Sequence, residues 1–174
     1  MTKQLKWRIV FVIILALIFV LLVIFLPILV VHAESEYYIK FSFQADNLNT
    51  VIETKDPLGI HLSQVELVAP PLIKDGRFWI PVRALENFGM TVKWNSIEKK
   101  ITVYNQNGIE LQYWLGKSIY FLNEQKKSMD VSPFIANGRT YIPLRFFAEA
   151  LGAQEIQFIA ETKSVVVIWP LGLD

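Results

Sequence analysis

The stretch from Asn137 to Gly152 constrains the fold most, because it predicts a turn, a strand and a short helix in immediate succession. Asn137-Gly138 is a strong hairpin signal, since a type I′ turn needs positive φ at both central positions. Residues 140–142 favour a strand, Pro143 fits the first position of a helix, and Gly152 fits the position just after its end. Four apolar residues then recur at helical spacing, namely Leu144, Phe147, Ala148 and Leu151.

An earlier version of this stretch runs from Asp75 to Gly89. At a constant offset of 62, which is the step from Gly76 to Gly138, matching residues recur at Pro71/Pro133, Ile73/Ile135, Gly76/Gly138, Arg77/Arg139, Ile80/Ile142, Pro81/Pro143 and Arg83/Arg145. This pattern predicts an internal repeat with units at about 65–104 and 127–169. The predicted structural motif comprises Gly76, Arg77, Pro81, Arg83, Gly89, Gly138, Arg139, Pro143, Arg145, Glu149 and Gly152.

The residue pattern at the N-terminus predicts that the protein is exported across the cytoplasmic membrane. Three basic residues precede an apolar run from Ile9 to Val31, which is long enough to cross a bilayer core. Two interpretations compete for residues 1–33. The small residues at Val31-His32-Ala33 favour a signal peptide cleaved after Ala33, whereas the length of the run favours an uncleaved membrane anchor. Both place residues 34–174 outside the cytoplasmic membrane, either secreted or anchored.

The composition of the exported part excludes several function classes. Without the three basic residues of residues 1–33, 14 of the 17 basic side chains remain against 16 acidic ones, which does not indicate nucleic-acid binding. The chain has no cysteine, so thiol catalysis, iron–sulfur clusters and cysteine zinc sites are excluded. His61 is the one histidine of the exported part, and an exposed residue on a strand edge is the favoured interpretation for it.

The remaining pattern predicts an α+β domain of mostly antiparallel sheet with two short helices. Residues 37–44 alternate as a strand, which we expect at a sheet edge within an extension covering residues 34–59. Residues 45–59 are polar and predict a loop that could hold a short helical or strand piece. Many short strands and turns follow, and residues 164–169, apolar on both faces, predict a strand inside its sheet.

The motif "SPFIANGRTYIPLRFFAEALGA" resembles the copper amine oxidase-like N-terminal domain of bacterial envelope proteins, also called the stalk domain, over residues 60–170. "PPLIKDGRFWIPVRALENFG" is a looser version of it. The resemblance implies a small α/β appendage outside any catalytic core, found in surface or secreted proteins and supplying no catalytic residue. Copper amine oxidation itself needs three histidines and an Asn-Tyr-acid sequence, and the exported part has one histidine and no Asn-Tyr pair. We therefore expect no catalytic, cofactor-binding or metal-binding residues.

Three alternatives for a functional site stay open at this stage. Arg145 and Glu149, four residues apart on the second helix, predict a salt pair, and a structural role for Arg83 and Arg145 is favoured over a binding surface. Five aromatic residues could form a sugar-stacking platform, although most are expected in the core: Trp79, Trp94, Trp114, Tyr120 and Tyr141. Carboxylate pairs such as Glu98/Glu110 or Asp130/Glu149 could be a hydrolase site only at a defined separation.

The sequence thus predicts a non-catalytic extracytoplasmic module that acts as a spacer or protein-interaction domain. A cell-wall glycan-binding module is one alternative, and a small wall-active enzyme or its accessory subunit is another. The partners expected are the membrane, if the N-terminal helix is uncleaved, and a cell-wall polymer or another envelope protein. The sequence leaves the oligomeric state open.

Overall fold

A computed structural model describes residues 14–21 and 37–171. The chain divides into two compact units, Met1–Glu36 and Tyr37–Asp174. In the first unit, residues 14–21 are helical and their large apolar side chains are exposed. In the described residues we find no helix with both the length and the apolar character that crossing a membrane requires. Ala33, the candidate cleavage site, and most of the apolar run lie outside the described residues.

The second unit is dominated by antiparallel strands. With the helical residues 14–21, the described chain contains three short helices, so the α+β class is confirmed with a strong β bias. The strands are β1 (Tyr38–Gln44), β2 (Asn49–Asp56), β3 (Gly59–Glu66), β4 (Leu72–Lys74), β5 (Arg77–Pro81), β6 (Thr91–Asn95), β7 (Lys100–Tyr104), β8 (Glu110–Trp114), β9 (Ile119–Leu122), β10 (Gln125–Ser128), β11 (Phe134–Ala136), β12 (Arg139–Pro143), β13 (Glu155–Ile159) and β14 (Ser164–Pro170). A 3₁₀ helix spans Val82–Phe88 and helix α1 spans Leu144–Ala150.

The strands form three sheets. One five-stranded sheet has the order β13-β14-β1-β2-β3, and the other has the order β10-β9-β8-β7-β6. The four-stranded sheet has the order β11-β12-β5-β4, and Ile80 lies opposite Ile142 where β5 meets β12. Buried residues from all three sheets and both helices of this unit form one hydrophobic cluster, which holds the sheets in fixed relation to one another.

The two predicted hairpin turns are confirmed. Asp75 and Gly76 have φ values of 51° and 68°, and Asn137 and Gly138 have 49° and 70°, as a type I′ turn requires. The helices differ slightly from the prediction. Pro143 is the last residue of β12 and caps α1 instead of being its first residue, because its nitrogen can lie at the strand end without a hydrogen to donate.

One expectation for the strands is wrong, and two polar segments form strands that their composition does not favour. Residues 49–56 form strand β2, because alternating Thr50 and Ile52 face the interior and β3 supplies a neighbouring strand. Strand β1 is internal, not at an edge, since it lies between β14 and β2. The polar residues 125–128 also form a strand, β10, through pairing with β9. In each case a tertiary partner outweighs the local composition. The expectation that β14 lies inside its sheet is confirmed.

Candidate functional site

A groove of about 560 Å³ lies between the β4–β5 hairpin, helix α1 and the β13–β14 hairpin. Apolar side chains form much of its lining, including Ile73, Phe78, Phe146, Ile156 and Phe158. Phe158 is 54% exposed, so an aromatic face is available to solvent at this site. A concave apolar surface with a few polar groups at its margin is the usual form of a binding site.

The charged side chains at the groove are paired with one another or with a neighbour. Arg77 donates hydrogen bonds to Asp130, and Arg145 Nε donates to Glu149 Oε1 at 2.8 Å. The hydrogen bonds from Arg77 lower the pKa of Asp130, and the positive charge of Arg145 contributes in the same direction. Asp130 in turn raises the pKa of Arg77. These ion pairs hold the carboxylate of Asp130 charged, so it is poorly suited to exchange protons near neutral pH.

The groove brings together parts of the two sequence motifs. Gly76 and Arg77 come from the first motif, whereas Pro143, Arg145 and Glu149 come from the second. The other predicted motif residues serve turns, caps and an ion pair. Arg83, for example, donates to Glu86 and to the backbone oxygen of Val92. The further members outside the groove lining are Pro81, Gly89, Gly138, Arg139 and Gly152.

Three of the five candidate aromatic residues are buried. Trp79 and Tyr141 both pack on Phe134, with ring centroids 4.7 and 5.6 Å away, and Tyr120 stacks on Tyr113 at 5.6 Å. These three rings therefore face the core and not a ligand.

The other two candidate aromatic residues are partly exposed but lie on opposite faces of one sheet. Trp94 lies opposite Ile101, whereas Trp114 lies opposite Lys100, the neighbouring residue on β7. Successive residues of a strand point to opposite faces, so Trp94 and Trp114 do not share a surface.

The candidate metal and hydrolase residues are also placed by the structure. His61 is exposed on β3, and its Nε2 lies 3.3 Å from Asp56 Oδ1. Glu98 pairs with Lys100 at 2.8 Å. Within residues 14–21 and 37–171, no group of three or more histidine, aspartate or glutamate residues could hold a metal ion.

Sequence analysis missed the aromatic residue that the groove exposes. The sequence patterns do not single out Phe158, and they place Asp130 only in a possible carboxylate pair with Glu149. The alternation of β13 places Ile156 and Phe158 on the same side, which is the signal that could have found this part of the groove. The pairing of Arg77 with Asp130, 53 positions apart, has no local signal.

The sequence of the second unit matches a known protein family. The copper amine oxidase N-terminal domain family matches residues 60–167, well over half of the chain. The chain belongs to the copper amine oxidase N-terminal domain family. The match contains every groove residue and confirms the resemblance drawn from the motifs, whereas β1 and β2 precede it.

A curated relative is the "Protease inhibitor" of Brevibacillus choshinensis. It is 28% identical over 112 residues, which cover 61% of this chain and 34% of the relative. The chain therefore spans about a third of the length of that relative. No solved structure matches.

Proposed function

We propose that this chain is a non-catalytic protein-interaction module that works outside the cytoplasmic membrane, secreted or held there by its N-terminal segment. Its groove binds an apolar segment of another envelope protein, and the packed sheets of the second unit present that site on a stable body, which is the spacer role. Membership of a family defined on an N-terminal domain, separate from a catalytic one, supports this proposal.

The observation that carries the proposal is the pairing of charges around an apolar groove. Arg77 with Asp130 and Arg145 with Glu149 leave no net charge at the margin, while Phe158 and Ile73 expose apolar surface. A neutral apolar segment gains free energy by covering such surface, at about 25 cal/mol per Å². A charged ligand would have to compete with the carboxylates that both arginines already contact.

A photo-crosslinking experiment tests the site. A photoreactive residue replaces Phe158 in the full-length chain in its host, and a second variant carries it at Trp94. Trp94 is the matched control, because it is 41% exposed on β6, a short strand that likewise follows a helix, but does not line the groove. We expect irradiation to produce a protein adduct at position 158 and little at position 94.

Substitutions then separate binding from proximity. Phe158→Ser should weaken capture of the crosslinked partner, whereas Trp94→Ser should leave capture unchanged. Equal adducts at both positions, or equal capture by both serine variants, would contradict a groove-based interaction. Turnover of wall glycan or peptide by the purified chain would contradict the non-catalytic part of the proposal.

Protease inhibition is a second candidate function, favoured by the curated relative described above. The name "Protease inhibitor" describes the relative, and the aligned segment is about a third of that protein. The test must therefore use the present chain. Purified chain is titrated against secreted serine and metalloproteases. Stoichiometric loss of peptidase activity would support inhibition, and unchanged activity at excess chain would exclude it for the enzymes tested.

We also propose that the second unit arose by duplication of a seven-strand segment, at residues 38–104 and 110–170. The two five-stranded sheets support this, because β13-β14-β1-β2-β3 and β6-β7-β8-β9-β10 are equivalent in order. The first strand of each half pairs with the last strand of the other half, β1 with β14 and β8 with β7. Ile80 and Ile142, at the same position of the two motifs, lie opposite each other.

A further inference from the structure

Strand β3 is an edge strand, and its residues 59–65 lack the usual protection against pairing with another strand. Among the described residues the three sheets have six edge strands. Two of them, β4 and β11, are three residues long, and β6, β10 and β13 each carry a lysine or a glutamate. Short length and edge charges both oppose pairing with a second chain. Strand β3 has eight residues, and its one charged residue, Glu66, is the last of them, so no Asp, Glu, Lys, Arg or Pro lies between Gly59 and Val65.

The outward backbone groups of β3 can be assigned from its register with β2. Asp56 and Gly59 flank a two-residue loop and form the first hydrogen-bonded pair of the hairpin. From there, non-hydrogen-bonded and hydrogen-bonded pairs alternate along the two strands. The backbone nitrogen of Leu67 donates to Leu48 at 2.7 Å, which continues the same alternation. The N–H and C=O groups of Ile60, Leu62 and Gln64 therefore point away from β2, towards solvent.

The β2–β3 hairpin also exposes three large aliphatic side chains. Leu58, Ile60 and Leu62 are 88%, 61% and 69% exposed. The β9–β10 hairpin occupies the equivalent place in the other five-stranded sheet, but its strands have four residues each against eight in β2 and β3. Its edge strand carries Lys126 and Lys127. The extra length and the exposed aliphatic residues are thus confined to one of two similar hairpins.

We propose that β3 pairs with β3 of a second copy of this chain, antiparallel and about a two-fold axis at His61. In this register Ile60 of each copy lies opposite Leu62 of the other, as hydrogen-bonded pairs. His61 lies opposite His61 as a non-hydrogen-bonded pair. The two five-stranded sheets then form one continuous ten-stranded sheet, and every outward N–H and C=O group at Ile60 and Leu62 has a partner.

A second copy fits this edge because the strand is complementary to itself. Antiparallel pairing about His61 places aliphatic side chains against aliphatic side chains twice, and cross-strand pairs of this kind stabilise a sheet. No like charges of acidic or basic residues meet between Gly59 and Val65. When His61 is protonated, Asp56, 3.3 Å from it, offsets its charge. A single-strand interface is small, so we expect a weak dimer that depends on concentration.

The association state of the full-length chain in detergent tests the proposal. Sedimentation equilibrium should show a monomer–dimer equilibrium. Leu62→Lys should raise the dissociation constant of the dimer about tenfold or more, because it places two lysines in the dimer interface. The control is Ile97→Lys, because Ile97 is 93% exposed on the turn between β6 and β7, away from β3. Circular dichroism melts check that both variants fold.

Cysteine crosslinking tests the register, since the chain has no cysteine of its own. In the proposed dimer the Cα atoms of the two His61 residues are about 4.5 Å apart, within the range for a disulfide. His61→Cys should form a disulfide-linked dimer on mild oxidation, and Ser63→Cys, offset by four residues from its copy, should not. A chain that remains monomeric, a dimer that Leu62→Lys leaves intact, or preferential linkage through Ser63→Cys would each overturn the proposal.

Discussion

Two buried tyrosines predict opposite effects of the same substitution. The side chain of Tyr113 is fully buried, and its hydroxyl has no hydrogen-bond partner among the described residues. Tyr141 is also buried, but its hydroxyl donates to the backbone oxygen of Pro70 at 3.2 Å. Burial raises the pKa of both phenols. Tyr→Phe therefore removes an unpaired polar group at one site and a hydrogen bond at the other.

The expected magnitudes follow from these surroundings. A buried polar group without a partner costs about 1–3 kcal/mol, so Tyr113→Phe should raise the free energy of unfolding by about 1 kcal/mol. Tyr141→Phe should lower it by about 1 kcal/mol and leave the Pro70 oxygen unpaired. For a domain of residues 37–171, 1 kcal/mol corresponds to about 3–4 °C in Tm. Urea unfolding and calorimetry measure both quantities, and destabilisation by Tyr113→Phe equal to that by Tyr141→Phe would refute the reasoning.

Three further outcomes are expected. The hydrogen bond from Lys40 lowers the pKa of Glu53 in the folded protein. The ionised Glu53 therefore stabilises the folded state above the unfolded pKa, and this stabilisation is lost as the pH falls through the folded pKa. Glu53→Gln should destabilise the protein more at pH 7 than at pH 3 in urea titrations. Gly138→Ala should cost about 1–2 kcal/mol in the same assay, because φ is 70° there although a Cβ has space. Ile142→Ala should cost about 2–5 kcal/mol, whereas Ile135→Ala, half exposed, should cost under about 1 kcal/mol by calorimetry.

Local signals were sufficient for the turns and the short helices. Asn137-Gly138 and Asp75-Gly76 specify positive φ through their own residue types, and Gly152 ends α1 at φ 75° for the same reason. The antiparallel character of the sheets followed from closely spaced strands joined by these turns. Each of these features depends on residues that are neighbours in sequence, so it can be predicted from a single sequence.

Features that depend on distant partners could not be predicted. Strand β2 has a polar composition, and it forms because β1 and β3 pair with it on both sides. The groove depends on the packing of two hairpins against α1, and its ion pair between Arg77 and Asp130 joins residues far apart in sequence. Neither the pairing of strands nor a contact between residues far apart in sequence produces a periodic pattern in the sequence.

The proposed duplication separates the scaffold from its specific surfaces. Under it, each half supplies the same strands, so positions that keep their character in both halves serve folding, as Ile80 and Ile142 do at the centre. Positions that differ are free for function. Phe158 and Trp94 occupy equivalent strands, yet Phe158 alone lines the groove, and β3 lacks the lysines that β10 carries. Under the proposed duplication a folding requirement acts on both halves alike, so the groove and the β3 edge, which occur in one half only, are the two surfaces where the proposed interactions are to be tested.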